Sequence, residues 1–438
     1  MKKLPFLWAC ALFLTAARAP SPRDLAGQVS QASLRATIDR LVGFGTRHSL
    51  SSQTDPSRGV GAALRWSDAQ LRSFGLDVST IEDMVTVDAG TGPVRVADVI
   101  AIQKGAVDPD RVVIIVGHID SRVGDLANAD TDAPGANDNG SGCAAVIEAA
   151  RILSAHEFPV TIVYALVSGE EQGLFGAKLL AEHAKNSGWT VMAVLNNDII
   201  GASCGSDGLC DNSHVRLFSS GLRGDMSAAV FNDQLLWGGE NDSPSRNLSR
   251  FIDHLADQLG DGLDVRPIWR GDRLLRAGDQ MQMVKYGFPA VRFTAGIENQ
   301  LHQHQDVKIE GGVQYGDTIA FVDFNYLARV TGLNVATLAA LARAPAMPVP
   351  HVRPALSPDT TIAWKPSVMA ATYRVHWRAT DAPGWTNERA VAGSETQAVF
   401  KSLRSEDWIF GVSAVSADGY ETPVVSAIAG GAFGPLTR

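Results

Sequence analysis

The chain has 438 residues, of which 45% are hydrophobic and 19% charged, with a formal net charge of -9. That length supports a large buried core and a second, smaller domain. The acidic balance, with no basic run to track phosphates, argues against a nucleic-acid partner. At the start, Lys2 and Lys3 precede an apolar stretch from Leu4 to Ala17 and the small-residue end Ala17-Arg18-Ala19. Residues 1–19 therefore read as a secretory signal peptide. The apolar run is too short to cross a bilayer, and no other segment is long and apolar enough. The mature chain is expected to be secreted or periplasmic, without a membrane span.

Next, Leu34, Ile38, Leu41 and Val42 repeat at helical spacing, and a second helix is expected from about Gly59 to Phe74 with Leu64, Trp66 and Leu71 on its apolar side. Arg47 and His48, in the loop between, read as loop anchors rather than site residues. Val78 to Val96 gives edge strands, so the sheet is expected to be mixed.

From Arg111 to Gly201, three apolar runs each end in acidic or histidine residues. Arg111 to Gly117 leads to His118 and Asp120, Thr161 to Val167 leads to Glu170 and Glu171, and Val191 to Leu195 leads to Asp198. Runs of this kind, alternating with helical segments, read as buried parallel strands of an α/β sheet. Chemistry in such sheets gathers beyond the carboxyl ends of the strands. Between the first two runs, Gly135-Ala136-Asn137-Asp138-Asn139-Gly140-Ser141-Gly142 puts Asp138 at the mouth of the following helix.

Imidazole and carboxylates converging on one sheet edge suit divalent cations, and a pair of such ions needs a bridging carboxylate. Asp138 is the expected bridge, because its flanking glycines let backbone approach closely. Asp120 is placed to take the second N–H of His118 and fix its tautomer. Glu170 and Glu171 are neighbours on an extended end and point different ways, so one can bind metal while the other handles a proton.

Cys204 and Cys210 flank a short polar loop that suits a disulfide in an oxidising compartment. Cys143 reads as buried packing. Val215 to Ser219 is a further strand, and Ser245 to Gln258 a helix with Leu248, Ile252 and Leu255 on one face. Asn247-Leu248-Ser249 is formally a glycosylation sequon. Tyr315 to Arg343 is expected as the helix that closes the domain.

A proline-rich linker spans residues 344–356. Beyond it, Thr361 to Trp364, Ala371 to Arg378, Gln397 to Phe400, Trp408 to Val415 and Val424 to Ala427 read as short strands. Tyr373, Val375 and Trp377 alternate onto one face. Regularly spaced short strands suggest a small all-β sandwich.

The stretch from about Ser30 to Arg343 resembles the dinuclear zinc aminopeptidases of metallopeptidase family M28. The resemblance rests on His118 with Asp120, Asp138 in Asp138-Asn139-Gly140-Ser141-Gly142, Glu170 with Glu171, Asp198, and a late histidine. It implies an α/β fold, a mostly parallel mixed sheet flanked by helices, over residues 20–343. It also implies two zinc ions per chain: Glu171 binds one, His118 and Asp198 the other, and Asp138 is shared. Glu170 would be the general base, with Asp120 beside it among the catalytic residues. The late histidine is His302 or His304, with His304 favoured, because Glu298 to Asp306 offers both spacings. In Gly278-Asp279-Gln280, the glutamine stands where the family commonly has histidine, a departure that touches none of these metal positions.

The implied activity is removal of N-terminal residues from peptides with a free amine, through a metal-bridging hydroxide. Residues 357–438 resemble a fibronectin type III domain, which would act as a spacer or bind a surface or protein partner. Alternatives on the same fold are a glutaminyl cyclase-like acyl transferase, a carboxypeptidase or dipeptidase using a cationic clamp such as Arg292 or Arg122, and a non-catalytic binding protein.

Overall fold

In the computed structural model, residues 19–87, 92–353 and 356–436 are described. All of the signal-peptide pattern except Ala19 lies outside them. Helices α1 (Pro22–Ala26), α2 (Gln31–Val42) and α3 (Val60–Ser73) lead into strands β1 (Asp77–Thr86), β2 (Pro93–Gln103) and β3 (Asp108–His118). There follow α4 (Gly140–Leu153), β4 (Val160–Val167), α5 (Phe175–Asn186), β5 (Thr190–Asn197) and β6 (His214–Ser219). Helices α6 (Ala228–Trp237) and α7 (Pro244–Leu259), β7 (Asp264–Ile268), α8 (Gln280–Lys285) and β8 (Ala290–Ala295) complete the main sheet. A hairpin of β9 (Lys308–Glu310) and β10 (Val313–Tyr315) precedes the closing helix α9 (Phe324–Arg343).

Among the described residues these strands form an eight-stranded sheet ordered β1-β2-β4-β3-β5-β8-β6-β7. Its centre, β4-β3-β5-β8, is parallel, while β1 and β2 are antiparallel additions at one edge and β6 runs antiparallel to β8. The sheet is therefore mixed. Side chains alternate across it: Val113 and Ile115 pack with α2, α4 and α9 on one face, whereas Ile114 and Val116 pack with α5 and α8 on the other. Burial on both faces is what a run of consecutive β-branched residues requires. Each fully buried valine or isoleucine adds roughly 1.5–3 kcal/mol.

Some local expectations shift. Val349–Arg353, expected within the proline-rich linker of residues 344–356, is a strand paired antiparallel in the C-terminal part. The closing helix starts at Phe324, not at Tyr315; Tyr315 ends the hairpin, and Asp323 caps the helix by accepting from the backbone of Asn325 and Tyr326. Apolar content continues through both segments, so the helical pattern alone did not mark the start. The sequon asparagine, Asn247, is 1% exposed. Its amide donates to the Asp242 carbonyl and accepts from Arg250 and Trp385, so it offers no glycan site in the folded chain.

The C-terminal part is all-β. Strands β11 (Val349–Arg353), β12 (Thr360–Lys365) and β15 (Gln397–Phe400) form one antiparallel sheet. Strands β13 (Thr372–Ala379), β14 (Asn387–Ala392), β16 (Trp408–Val415) and β17 (Val425–Ser426) form another. Between them lie Ile362, Trp364, Tyr373, Val375, Phe400 and Phe410, with Trp377 and Trp408 partly buried against this core. The unit is anchored beside α7: Arg378 reaches Asp242 at 2.6 Å, and Trp385 Nε1 donates to Asn247 at 3.1 Å.

Cys204 and Cys210 form the expected disulfide, and Cys143 is buried with a free thiol. No helix among the described residues is long and apolar enough to cross a membrane.

Candidate metal centre

The parallel strands deliver the candidate residues to one edge. His118 is the last residue of β3 and pairs in register with Val167, the last residue of β4, just before the turn that carries Glu170 and Glu171. Asp198 follows directly on β5. Asp138 enters from the loop before α4, where Asp317 accepts hydrogen bonds from the Asn137 and Asp138 backbone at 2.7–3.0 Å. Helix α4 sits close because Gly142 lacks a side chain; a Cβ there would stand 2.1 Å from the Asn197 carbonyl.

Two groups of potential ligands result. Ligand atoms of His118, Asp138 and Asp198 lie within 4.8 Å of one another, as do those of Asp138, Glu171 and His304. Asp138 belongs to both. One of its oxygens is 3.3 Å from His118 Nε2, and the other 2.9 Å from His304 Nε2. His304 Nε2 is also 2.9 Å from Glu171.

The donor set fits zinc. His118 Nε2 is a buried atom with no hydrogen-bond partner, facing Asp138 and Asp198. Such an orphan is costly unless something else satisfies it. On the far side of the ring, Nδ1 stands 3.2 Å from the Asp120 carbonyl oxygen, which leaves the lone pair on Nε2, as a metal-ligating histidine needs. The donors are imidazole nitrogens and carboxylate oxygens, a set borderline divalent cations accept.

Asp120 does more than was expected of it, and differently. Its carboxylate lies 3.6 Å from His118 Nδ1, farther than its own carbonyl. The carboxylate oxygens instead accept from the backbone N–H groups of Glu170 and Glu171 at 3.3 and 3.1 Å. Asp120 thus fixes the turn that presents both glutamates.

The electrostatics show an excess of negative charge. Burial alone would lower the His118 pKa, but Glu170, Asp120, Asp138 and Asp198 reverse this and raise it well above the usual imidazole value. For His304, burial is likewise outweighed by Glu171 and Asp138, and its pKa reaches about 9. Asp198 is held at about 2 against the cost of burial, by Arg292 and His118. Burial pushes Glu170 the other way, well above the usual carboxylate range, with help from Glu171 and Asp198 and against the pull of His118. The histidines are drawn toward positive charge because the site wants cations.

His302 is in neither group. Its ring stacks on Phe321 at a centroid distance of 3.5 Å, beside Asp138 rather than on it. Arg47 is fully buried and donates to the carbonyls of Leu41, Ile119, Pro134 and Gly135, an anchor for the loops under the site. Gln280 is buried behind the site and joins Asn196 to Asp272. Arg292 is also buried, 2.9 Å from both Asp198 and Asp272, so it cannot meet a substrate.

Residues given no role at the site by the sequence reading complete the surroundings. Gln303 donates to Asp138 at 3.0 Å, and Asp279 is buried with neither carboxylate oxygen hydrogen-bonded. The position of Gln303 between the two histidines was the available signal. Arg122, weighed only as a clamp, contacts Glu171 at 2.8 Å and His304 Nδ1 at 2.6 Å.

Residues 98–310 match Peptidase family M28. A probable zinc metalloprotease of Pyrenophora tritici-repentis is 41% identical over 417 residues, covering 92% of this chain and 86% of its own length. A leucine aminopeptidase precursor from Bacteroides thetaiotaomicron shares the fold with a TM-score of 0.52 at 15% identity, over 71% of this chain and 97% of its own. Porphyromonas gingivalis glutaminyl cyclase does so with a TM-score of 0.51 at 19% identity, over 71% and 98%. At these identities the solved structures speak for the fold alone. The family match and the relative together establish that the chain belongs to peptidase family M28, as a zinc-dependent peptidase.

Proposed function

We propose that the protein is an exported dinuclear zinc aminopeptidase. The observation that carries this reading is the pair of ligand groups sharing Asp138. His118 and Asp198 would hold one ion, Glu171 and His304 the other. Two zinc ions supply Lewis-acid polarisation of a scissile carbonyl and acidification of water. The remaining work falls to side chains. Glu170 stands in the cleft with a raised pKa, suited to take a proton from the attacking water and pass it to the leaving amine. Asp120 positions Glu170 and Glu171 through their backbone N–H groups. A free N-terminal amine would be received among the carboxylates of the site.

Export is supported by the pattern of residues 1–19 and by the Cys204–Cys210 disulfide. Surface or partner binding by the C-terminal unit rests on its resemblance to a fibronectin type III domain.

The test is hydrolysis of aminoacyl chromogenic amides by wild type and Glu170→Gln, with bound zinc counted in both. The reading expects cleavage of unblocked amides, none of acetylated ones, and an inactive variant that still holds about two zinc ions. A protein that binds a single zinc and cyclises N-terminal glutamine would overturn it in favour of acyl transfer.

A further inference from the structure

Resting on the peptidase reading, we propose that the active cleft selects substrates that carry a carboxylate close to the scissile bond, received by Arg276 with Lys285 as the second cation. The cleft of about 620 Å³ is lined by Asp138, Glu170, Glu171 and Asp198, and by no other acidic side chain among the described residues. All of these carboxylates are already assigned to metal or proton.

Its walls are basic, with Arg122, Arg273, Arg276 and Lys285. Two of these cations are committed. Arg122 is engaged by Glu171 and His304, and Arg273 by Glu298 at 2.7 Å and Asp272 at 3.2 Å. The other two are available. Arg276 is 36% exposed and reaches Glu298 only at 3.9 Å. Lys285 is exposed and has no ion pair among the described residues.

Arg276 is also close to the chemistry. It donates to the Gln303 side chain at 3.0 Å, and Gln303 donates in turn to Asp138 at 3.0 Å. One side chain therefore separates its guanidinium from the shared ligand. Two bound divalent ions would balance the four cleft carboxylates, Glu171 included. The wall cations would then stand as uncompensated positive charge, focused by the walls of a concave site, with Arg276 and Lys285 the ones free to meet a substrate. A substrate carboxylate, from an acidic side chain or a free C-terminus, gains a charge-assisted and partly bidentate contact there. An amide in its place does not.

The experiment uses four substrates with a free N-terminus: Ala-Glu, Ala-Gln and the C-terminal amide of each. Zinc-loaded wild type is expected to show kcat/KM about tenfold higher for any substrate with a carboxylate than for Ala-Gln-amide. Ala-Glu-amide and Ala-Gln separate the side-chain source from the C-terminal one. The advantage should shrink as ionic strength rises. Arg276→Gln should bring the ratio toward one, and Arg276→Lys should keep part of it. In the Glu170→Gln background, calorimetry should show Ala-Glu binding about tenfold tighter than Ala-Gln-amide, and Arg276→Gln should erase the difference. Equal rates on all four substrates, with Arg276→Gln altering none of the ratios, would overturn the inference while leaving the peptidase reading intact. Hydrolysis of none of them would remove both.

Discussion

Arg292 and Asp198 meet at 2.9 Å, both buried, with the second arm of the guanidinium 2.9 Å from Asp272. The pair holds one oxygen of Asp198 while the other faces His118 at 3.7 Å. Replacing Arg292 by Met would leave buried Asp198 without its guanidinium partner and Asp272 with Arg273 alone. The expected loss is about 3–5 kcal/mol in the metal-free protein. Zinc affinity should also fall, by roughly 10–100-fold, because an outer partner of a ligand is gone. Urea unfolding of the metal-free variant and a zinc competition titration check the two effects separately.

Asp138 and His302 give contrasting expectations. Asp138→Asn removes the carboxylate common to both ligand groups. Its zinc affinity should drop by at least roughly 100-fold, with activity falling alongside. His302→Ala breaks only the stack on Phe321 and should leave zinc content unchanged. Metal analysis after dialysis against a chelator reads both.

Asp242 binds Arg378 at 2.6 Å and Arg250 at 3.1 Å, joining the C-terminal unit to α7. Asp242→Ala would leave two largely buried guanidinium groups without their shared carboxylate, held only by neutral acceptors such as the Asn241 and Ala382 carbonyls. A loss of about 3–5 kcal/mol is expected. It should appear in chemical denaturation as a lower midpoint or as a separate transition for the C-terminal strands.

Asp253, on α7, titrates at about 6 rather than 3.8, because burial, Asp264 and Asp257 all disfavour its charge. The folded state therefore binds its proton more tightly than the unfolded chain does. The resulting stability is fully present below 3.8 and lost as pH rises through about 6. Asp253→Asn should be neutral near pH 4 and stabilising at pH 7, by about 1 kcal/mol after allowance for solvent screening. Melting curves of both proteins across that window test the sign, since a variant that is less stable at pH 7 contradicts it.

Much of this architecture was legible in the chain itself. Val112 to Val116 and Val160 to Val167 are continuous apolar runs, and only burial on both faces of a sheet accommodates them. Once they are strands, His118, Glu170, Glu171 and Asp198 must fall beyond the same edge, because parallel strands end together. The disulfide was legible for a simpler reason: its cysteines are only six positions apart.

What the sequence could not carry were contacts set by packing between distant segments. His302 and His304 share one polar loop with no periodicity to orient them. His304 takes a left-handed backbone, with φ of 55°, and meets Asp138 and Glu171, while Phe321 captures His302. Asp120 bonds backbone 50 and 51 residues away, and Asn247 is consumed by Arg250 and Trp385. Periodicity determines which elements form and which ends they expose. Which polar atom meets which is decided by three-dimensional packing, where each buried donor or acceptor must find a partner wherever the fold brings one.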